Sequence, residues 1–372
     1  DCTLDRITPE SWEFEARLAA FCPDVVGISF WSSNADSVYK TCKTIQKVIP
    51  KAKIVFGGPH ATAYGVYEIE TRNADFVIAG EAEKSFPMLL DAIANNYIQD
   101  LSNIPGLIYL NRENKVVSNQ VVFERDIDSL GNVDYKALRL SDYHNAGYGY
   151  GGQAVLHPNL PSAMIIATRG CPYRCKFCSA PIISGKKIRF HSPTYVTQAI
   201  KMLYENFNVR VVSLGDDNFT FNKNYAVALC QAIIDLNLDD LIMAAPNGFR
   251  LTSMTLNLAK LMRRAGWEEV TVAPESGSPR TLKLMQKDMK LEYVKPFVRM
   301  CHDVGLKVKA NFIIGFPGET MEDVLLTEQF IKSNNFDQIG LCFFQPLPGT
   351  PIFDELLANG EICLLYTSPS PR

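Results

Sequence analysis

The chain has 372 residues, 47% hydrophobic and 21% charged, with a formal net charge of -3 at pH 7. That length suits two domains, and the composition excludes a disordered chain. Scattered lysines and arginines with no basic run offer nothing to nucleic acid or an anionic membrane. No apolar run reaches the ~18 residues a membrane span needs, and no secretory signal is visible.

Residues 24–29 form a short β-branched run, followed by a helical stretch through Val48. Residues 53–58 make a second strand ending in glycines, 75–80 a third, and 83–94 a closing helix. This alternation predicts a parallel, doubly wound sheet over residues 1–98. Such domains usually hold about five strands, so the chain is expected to start partway in, near the second strand. Residues 99–160 read as a connector, with a small hairpin of 106–110 and 116–123 and a Tyr- and Gly-rich loop at 147–152. From residue 162 the alternation resumes with strands at 164–168, 211–214, 241–245, 269–273, 308–314 and 339–344. Ser192 and Pro193 make a helix cap and first turn ahead of an apolar face of Val196, Ile200 and Leu203. Val294, Val298, Cys301 and Val304 make another stripe, stopped by Gly305. Six β/α units predict an α/β fold of the partial (β/α)6 TIM type over 161–360, with chemistry at the C-terminal strand ends. Residues 363–372 have no periodicity and read as a non-native tail.

Ten cysteines are present, and most sit alone in apolar stretches, where a thiol is a small buried hydrophobe. That usage is no disulfide framework and suits a reducing cytoplasm. Only Cys171, Cys175 and Cys178 cluster, directly after a predicted strand. Three thiolates can hold three irons of a cubane cluster and leave the fourth iron open to a substrate or cofactor. Zinc is the rival metal, but its structural sites close with a fourth Cys or His, and the five histidines form no pair at metal spacing.

The CxxxCxxC pattern, with Phe177 before its last Cys, resembles the radical S-adenosylmethionine superfamily. The resemblance implies that Cys171, Cys175 and Cys178 ligate a 4Fe-4S cluster and that Phe177 flanks the adenine. In that family the open iron chelates S-adenosylmethionine, and an electron from the cluster cleaves it to a 5′-deoxyadenosyl radical. Asp216 and Asp217 resemble the family's motif at the methionyl amino group, although an Asp/Asn helix cap reads equally well. Glu275 and Ser276 resemble the segment that bonds the cofactor's ribose and carboxylate. Arg250 supplies a cation at the third strand end, Asn311 lies on the fifth strand, and 345–350 resembles the sixth strand end. The resemblance covers residues 162–355.

Upstream, the loops carrying Ser29, then Gly57, Gly58 and His60, then Gly80 and Glu81 resemble the strand-end loops of the cobalamin-binding domain fused to this barrel. Glycines and short hydroxyls would let a corrin approach the backbone; a generic flavodoxin-like domain is the alternative. His60, after Gly-Gly-Pro, reads as a surface-turn histidine at the pocket edge and not as a cobalt ligand. The resemblance therefore implies a Rossmann/flavodoxin-like cobalamin domain ahead of the barrel, and three cofactors: 4Fe-4S cluster, S-adenosylmethionine and cobalamin. It further implies C-methylation of a small molecule at an unactivated carbon, with an electron donor such as flavodoxin or ferredoxin. An oxidative cyclase is the nearest alternative. A non-catalytic carrier or sensor is another, disfavoured because it needs no complete S-adenosylmethionine pocket.

Overall fold

Short β-branched runs buried on both faces are the mark of a parallel sheet covered on both sides; β1 (Val25–Ser29), β2 (Lys53–Gly57) and β3 (Phe76–Ile78) pair in parallel, with β2 and β3 buried in that way and β1 partly exposed. Alternate residues serve opposite cores. Ile54, Phe56 and Val77 pack into one cluster, and Val55, Phe76 and Ile78 into another. In the computed structural model residues 4–97, 100–148 and 157–362 are described. The expected tail at 363–372 and most of the expected loop at 147–152 lie outside them.

The expected hairpin forms from β4 (Leu107–Leu110) and β5 (Val116–Ser118), with Asn111 Oδ1 accepting the amides of Glu113 and Lys115 across the turn. It is not a separate connector. β4 pairs antiparallel with β3, giving one five-stranded sheet in the order β1-β2-β3-β4-β5. The chain divides into two compact units, one of residues 1–125, 177–186 and 345–372, the other of 126–176 and 187–344. These units and the bounds expected at 98 and 161 divide the chain differently. Within the first unit, Phe353 of the helix Pro351–Ala358 meets Tyr64 edge-on at 6.0 Å.

The second unit holds β6 (Ser162–Ile165), β7 (Thr168–Arg169), β8 (Arg189–Phe190), β9 (Val211–Leu214), β10 (Ile242–Ala244), β11 (Glu269–Glu275), β12 (Lys307–Ile314) and β13 (Gln338–Phe343). β6, β9 and β10 pair in parallel, as do β11, β12 and β13. Parallel bridges Met243–Trp267 and Phe249–Val272 join the two sets. Six strands therefore stand side by side in chain order, the partial barrel that the alternation predicts. Helix Pro193–Phe207 starts at Ser192, whose Oγ accepts the Tyr195 amide at 3.1 Å, and buries Val196, Ile200 and Leu203 in the barrel's core. Among the described residues, no helix is long and apolar enough to cross a membrane.

Candidate active site

β7 and β8 form a two-rung antiparallel ribbon that delivers the chain to the cysteine loop. Gly170, at φ +100°, makes the turn out of it, a conformation open to glycine at little cost. Cys171 and Cys175 are half-buried and free of disulfides. Burial pushes both thiols up, and Arg250 opposes this at each, joined at Cys175 by Lys287. Cys178 and Phe177 follow in the chain, both half-buried, and belong to the other unit.

Arg250 lies flat against the loop, its Cζ 3.2 Å from the ring centroid of Tyr173, a cation–π contact. Its Nη1 donates to the Asp288 carbonyl at 3.2 Å, and Phe221 meets Tyr173 edge-on at 6.3 Å. The Lys176 amide donates to the Met285 carbonyl at 2.9 Å, pinning the loop again.

Glu275 ends β11 after a break in register, with φ +69°. A non-glycine residue there stores about 1–3 kcal/mol, and such strain clusters at functional sites. Its Oε1 accepts from Lys287 Nζ at 2.9 Å, with the two side chains only 9% and 14% exposed. Burial pushes the Glu275 carboxyl up and Lys287 pulls it back.

Cys171, Cys175, Asp217, Arg250 and Glu275 are thus brought together as electrostatic neighbours. Asn311 sits on β12 opposite in face to the core residues Ala310 and Phe312, with its Oδ1 2.3 Å from where a Cβ on Gly340 would stand. Asp216 and Ser276 are engaged within the protein. Asp216 is 3% exposed and accepts from the Ala167 amide at 2.7 Å and from Thr168 Oγ1 at 2.8 Å; burial still pushes its carboxyl up to about 7. Ser276 is fully buried, its hydroxyl 3.1 Å from Thr327 Oγ1 and accepting the Ser278 amide. The following Gly277 lies so near the helix Met321–Ser333 that a Cβ would stand 2.7 Å from Thr327 Cα. Sequence reasoning missed Lys287 and Tyr173. Tyr173 was findable inside the cysteine motif, whereas nothing marks Lys287 before the helix Pro279–Leu284 folds it back.

In the first unit, Ser29 and Gly57 end β1 and β2. Gly58, at φ +84°, is demanded by the chain itself, because a Cβ there would stand 2.6 Å from Ser29 Oγ and 2.9 Å from the Phe30 amide. Gly57 has open space, with the nearest atom 4.0 Å away. The Gly80 amide donates to Thr62 Oγ1 at 3.0 Å, and half-buried Glu81 follows it. His60 departs from expectation. It is 4% exposed and lies in the helix Gly58–Glu70, because Pro59 is preorganised for a first helical turn and does not end one.

Among the described residues no three His, Cys, Asp or Glu side chains form a ready metal cage. The donor chemistry nevertheless suits iron: three thiols outside any disulfide, with Arg250 facing Cys171 and Cys175 and Lys287 facing Cys175. Four of the five histidines bond carboxylates elsewhere, at Glu68, Glu268, Asp128 and Asp337. A zinc site closed by histidine finds no partner in those four.

The radical SAM superfamily model matches residues 165–331 and the B12 binding domain model residues 4–90. The uncharacterized methyltransferase PH0819 of Pyrococcus horikoshii is 29% identical over 360 residues, covering 94% of this chain and 74% of that protein. Cytidylyl-2-hydroxyethylphosphonate methyltransferase of Streptomyces wedmorensis is 27% identical over 371 residues, covering 92% and 68%. The fold is like that of the radical S-adenosylmethionine methyltransferase TsrM from Kitasatospora setae, solved with cobalamin and a 4Fe-4S cluster: TM-score 0.78, 18% identity, 96% of this chain and 71% of that one. The chain thus carries a radical S-adenosylmethionine superfamily match over residues 165–331 and a B12 binding domain match over residues 4–90.

Proposed function

We propose that this enzyme methylates an unactivated carbon of a small molecule. The observation that carries the reading is a barrel and a B12 domain on one chain, matched along 94% and 92% of its length by two methyltransferases. An sp³ carbon is no nucleophile, so polar methyl transfer fails and a radical route is needed. When bound, the cluster with S-adenosylmethionine supplies a carbon-centred radical, and cobalamin supplies a methyl carrier.

The chain's own residues do the rest. Cys171, Cys175 and Cys178 would hold three irons and leave one open. Asp217, Arg250, Glu275, Lys287 and Asn311 offer charges and an amide to the polar end of S-adenosylmethionine, and Phe177 a ring to its adenine. Tyr173, inside the cysteine motif, holds Arg250 against its ring and meets Phe221 edge-on. Ser29, Gly57, Gly58, Gly80 and Glu81 border the cobalamin cradle. An external one-electron donor such as flavodoxin or ferredoxin completes the cycle, in a reducing cytoplasm where the described cysteines stay free.

The test is anaerobic reconstitution, reduction and incubation with S-adenosylmethionine. Both 5′-deoxyadenosine and S-adenosylhomocysteine are expected, and Cys171→Ala should abolish both. 5′-Deoxyadenosine without S-adenosylhomocysteine would favour cyclisation. The reading fails if no cluster forms, or if Cys171→Ala still makes 5′-deoxyadenosine.

A further inference from the structure

Arg250 is fixed on both sides by its chain neighbours. Phe249 ahead of it is buried, and the Phe249 amide donates to the Thr271 carbonyl at 2.8 Å. The Arg250 carbonyl accepts from Ser253 Oγ at 2.7 Å, in the turn Leu251–Ser253. From that base the guanidinium reaches two segments. Its Cζ is 3.2 Å from the Tyr173 ring centroid, and its Nη1 donates to the Asp288 carbonyl at 3.2 Å. Tyr173 stands between Cys171 and Cys175 in the chain, so the cation is laid against the stretch that joins two of the thiols.

The charge of Arg250 is weakly compensated. Burial is the largest influence on both thiols; Arg250 acts on each, alongside Asp217 at Cys171 and Lys287 and Glu275 at Cys175. Lys287 is held at 2.9 Å by Glu275, with side chains 14% and 9% exposed, so much of its field is cancelled at source. The carboxylate nearest to Arg250 in an ion pair, Asp288, is 3.6 Å away and 86% exposed, where water screens it. Reducing a thiolate-held cluster adds an electron to a negative group, and nearby charge sets how readily that electron enters. We propose that Arg250 raises the reduction potential of the cluster, and that Tyr173 is the positioning residue that holds it there. The inference rests on the cluster assignment, and it is separate from any contact of Arg250 with S-adenosylmethionine.

The test is a redox titration of the reconstituted full chain, followed by electron paramagnetic resonance, with neither S-adenosylmethionine nor substrate present and with iron counted in every sample. Wild type must take up a 4Fe-4S cluster; if it does not, the cluster assignment itself fails. Given that, Arg250→Gln is expected to make reduction about tenfold less favourable, a drop of about 59 mV for one electron. Arg250→Lys keeps the charge and should recover most of the drop. Tyr173→Phe keeps the ring and should match wild type, whereas Tyr173→Leu should fall toward Arg250→Gln. Adding Tyr173→Leu to Arg250→Gln should lower the potential no further, since Tyr173 acts through Arg250. A wild-type potential in Arg250→Gln, one in Arg250→Lys as low as in Arg250→Gln, or equal potentials in Tyr173→Phe and Tyr173→Leu would each overturn the proposal. The two Tyr173 variants decide it even where Arg250→Gln takes up too little iron to titrate.

Discussion

Lys287→Met removes the cation from a pair held at 2.9 Å, with side chains 9% and 14% exposed. Breaking one side of a buried ion pair costs about 3–5 kcal/mol, because the remaining charge is stranded. Glu275 can escape part of that cost by taking a proton. Burial already pushes its carboxyl up, and Lys287 is what pulls it back, so the variant leaves the upward push unopposed. A carboxyl raised above its unfolded value contributes stability that is fully present below the unfolded pKa and is lost as pH rises through the folded one. The variant should therefore approach wild type near about pH 4–5, the unfolded range of glutamate, and fall away above it. For a domain of ~150–250 residues, 1 kcal/mol is roughly 2–4 °C in Tm, so about 3 kcal/mol is a drop of about 6–12 °C at pH 8. Anaerobic scanning calorimetry at both pH values measures it, and adding Glu275→Gln should restore most of the loss. An equal deficit at both pH values, or none at pH 8, would refute the account.

Two further expectations rest on local geometry. Gly58→Ala should destabilise by about 3 kcal/mol in urea titration and weaken hydroxocobalamin binding, since its Cβ meets Ser29 and Phe30 at a left-handed φ. Asp323 accepts from Ser278 at 2.6 Å, from Arg280, and from the Thr320 amide at 2.8 Å, so Asp323→Asn should cost about 2–4 kcal/mol at neutral pH. Arg280, above all, holds that carboxyl well below the usual carboxylate range. Its stabilisation is present above the unfolded pKa and is lost as pH falls through the folded one, so variant and wild type should converge in acid. Urea melts across the acid range would show no convergence if the ion pair were idle.

The strands were legible because runs such as 211–214, all buried as Val211–Leu214, have no other good use for their β-branched side chains. The cysteine motif carried its own chemistry. The partner of the hairpin was not legible, since β4 chooses β3 through packing that no local pattern encodes. His60 was misread because Gly-Gly-Pro looks the same at a turn and at a helix start. Asp216 and Asp217 are adjacent carboxylates, and only the fold decides which turns inward. Lys287 reaches Glu275 from the far end of a helix and a turn, a meeting with no signature in spacing.

The inward carboxylate of Asp216 has a mechanical consequence. It grips the amide of Ala167 and the hydroxyl of Thr168, while the Ala167 carbonyl is taken by the His191 amide and by Tyr225. The stretch that leads into the cysteine loop is thus clamped on both sides by the fold itself. The cysteine loop therefore starts from a fixed anchor, and the direction in which it leaves Gly170 is set by the ribbon behind it.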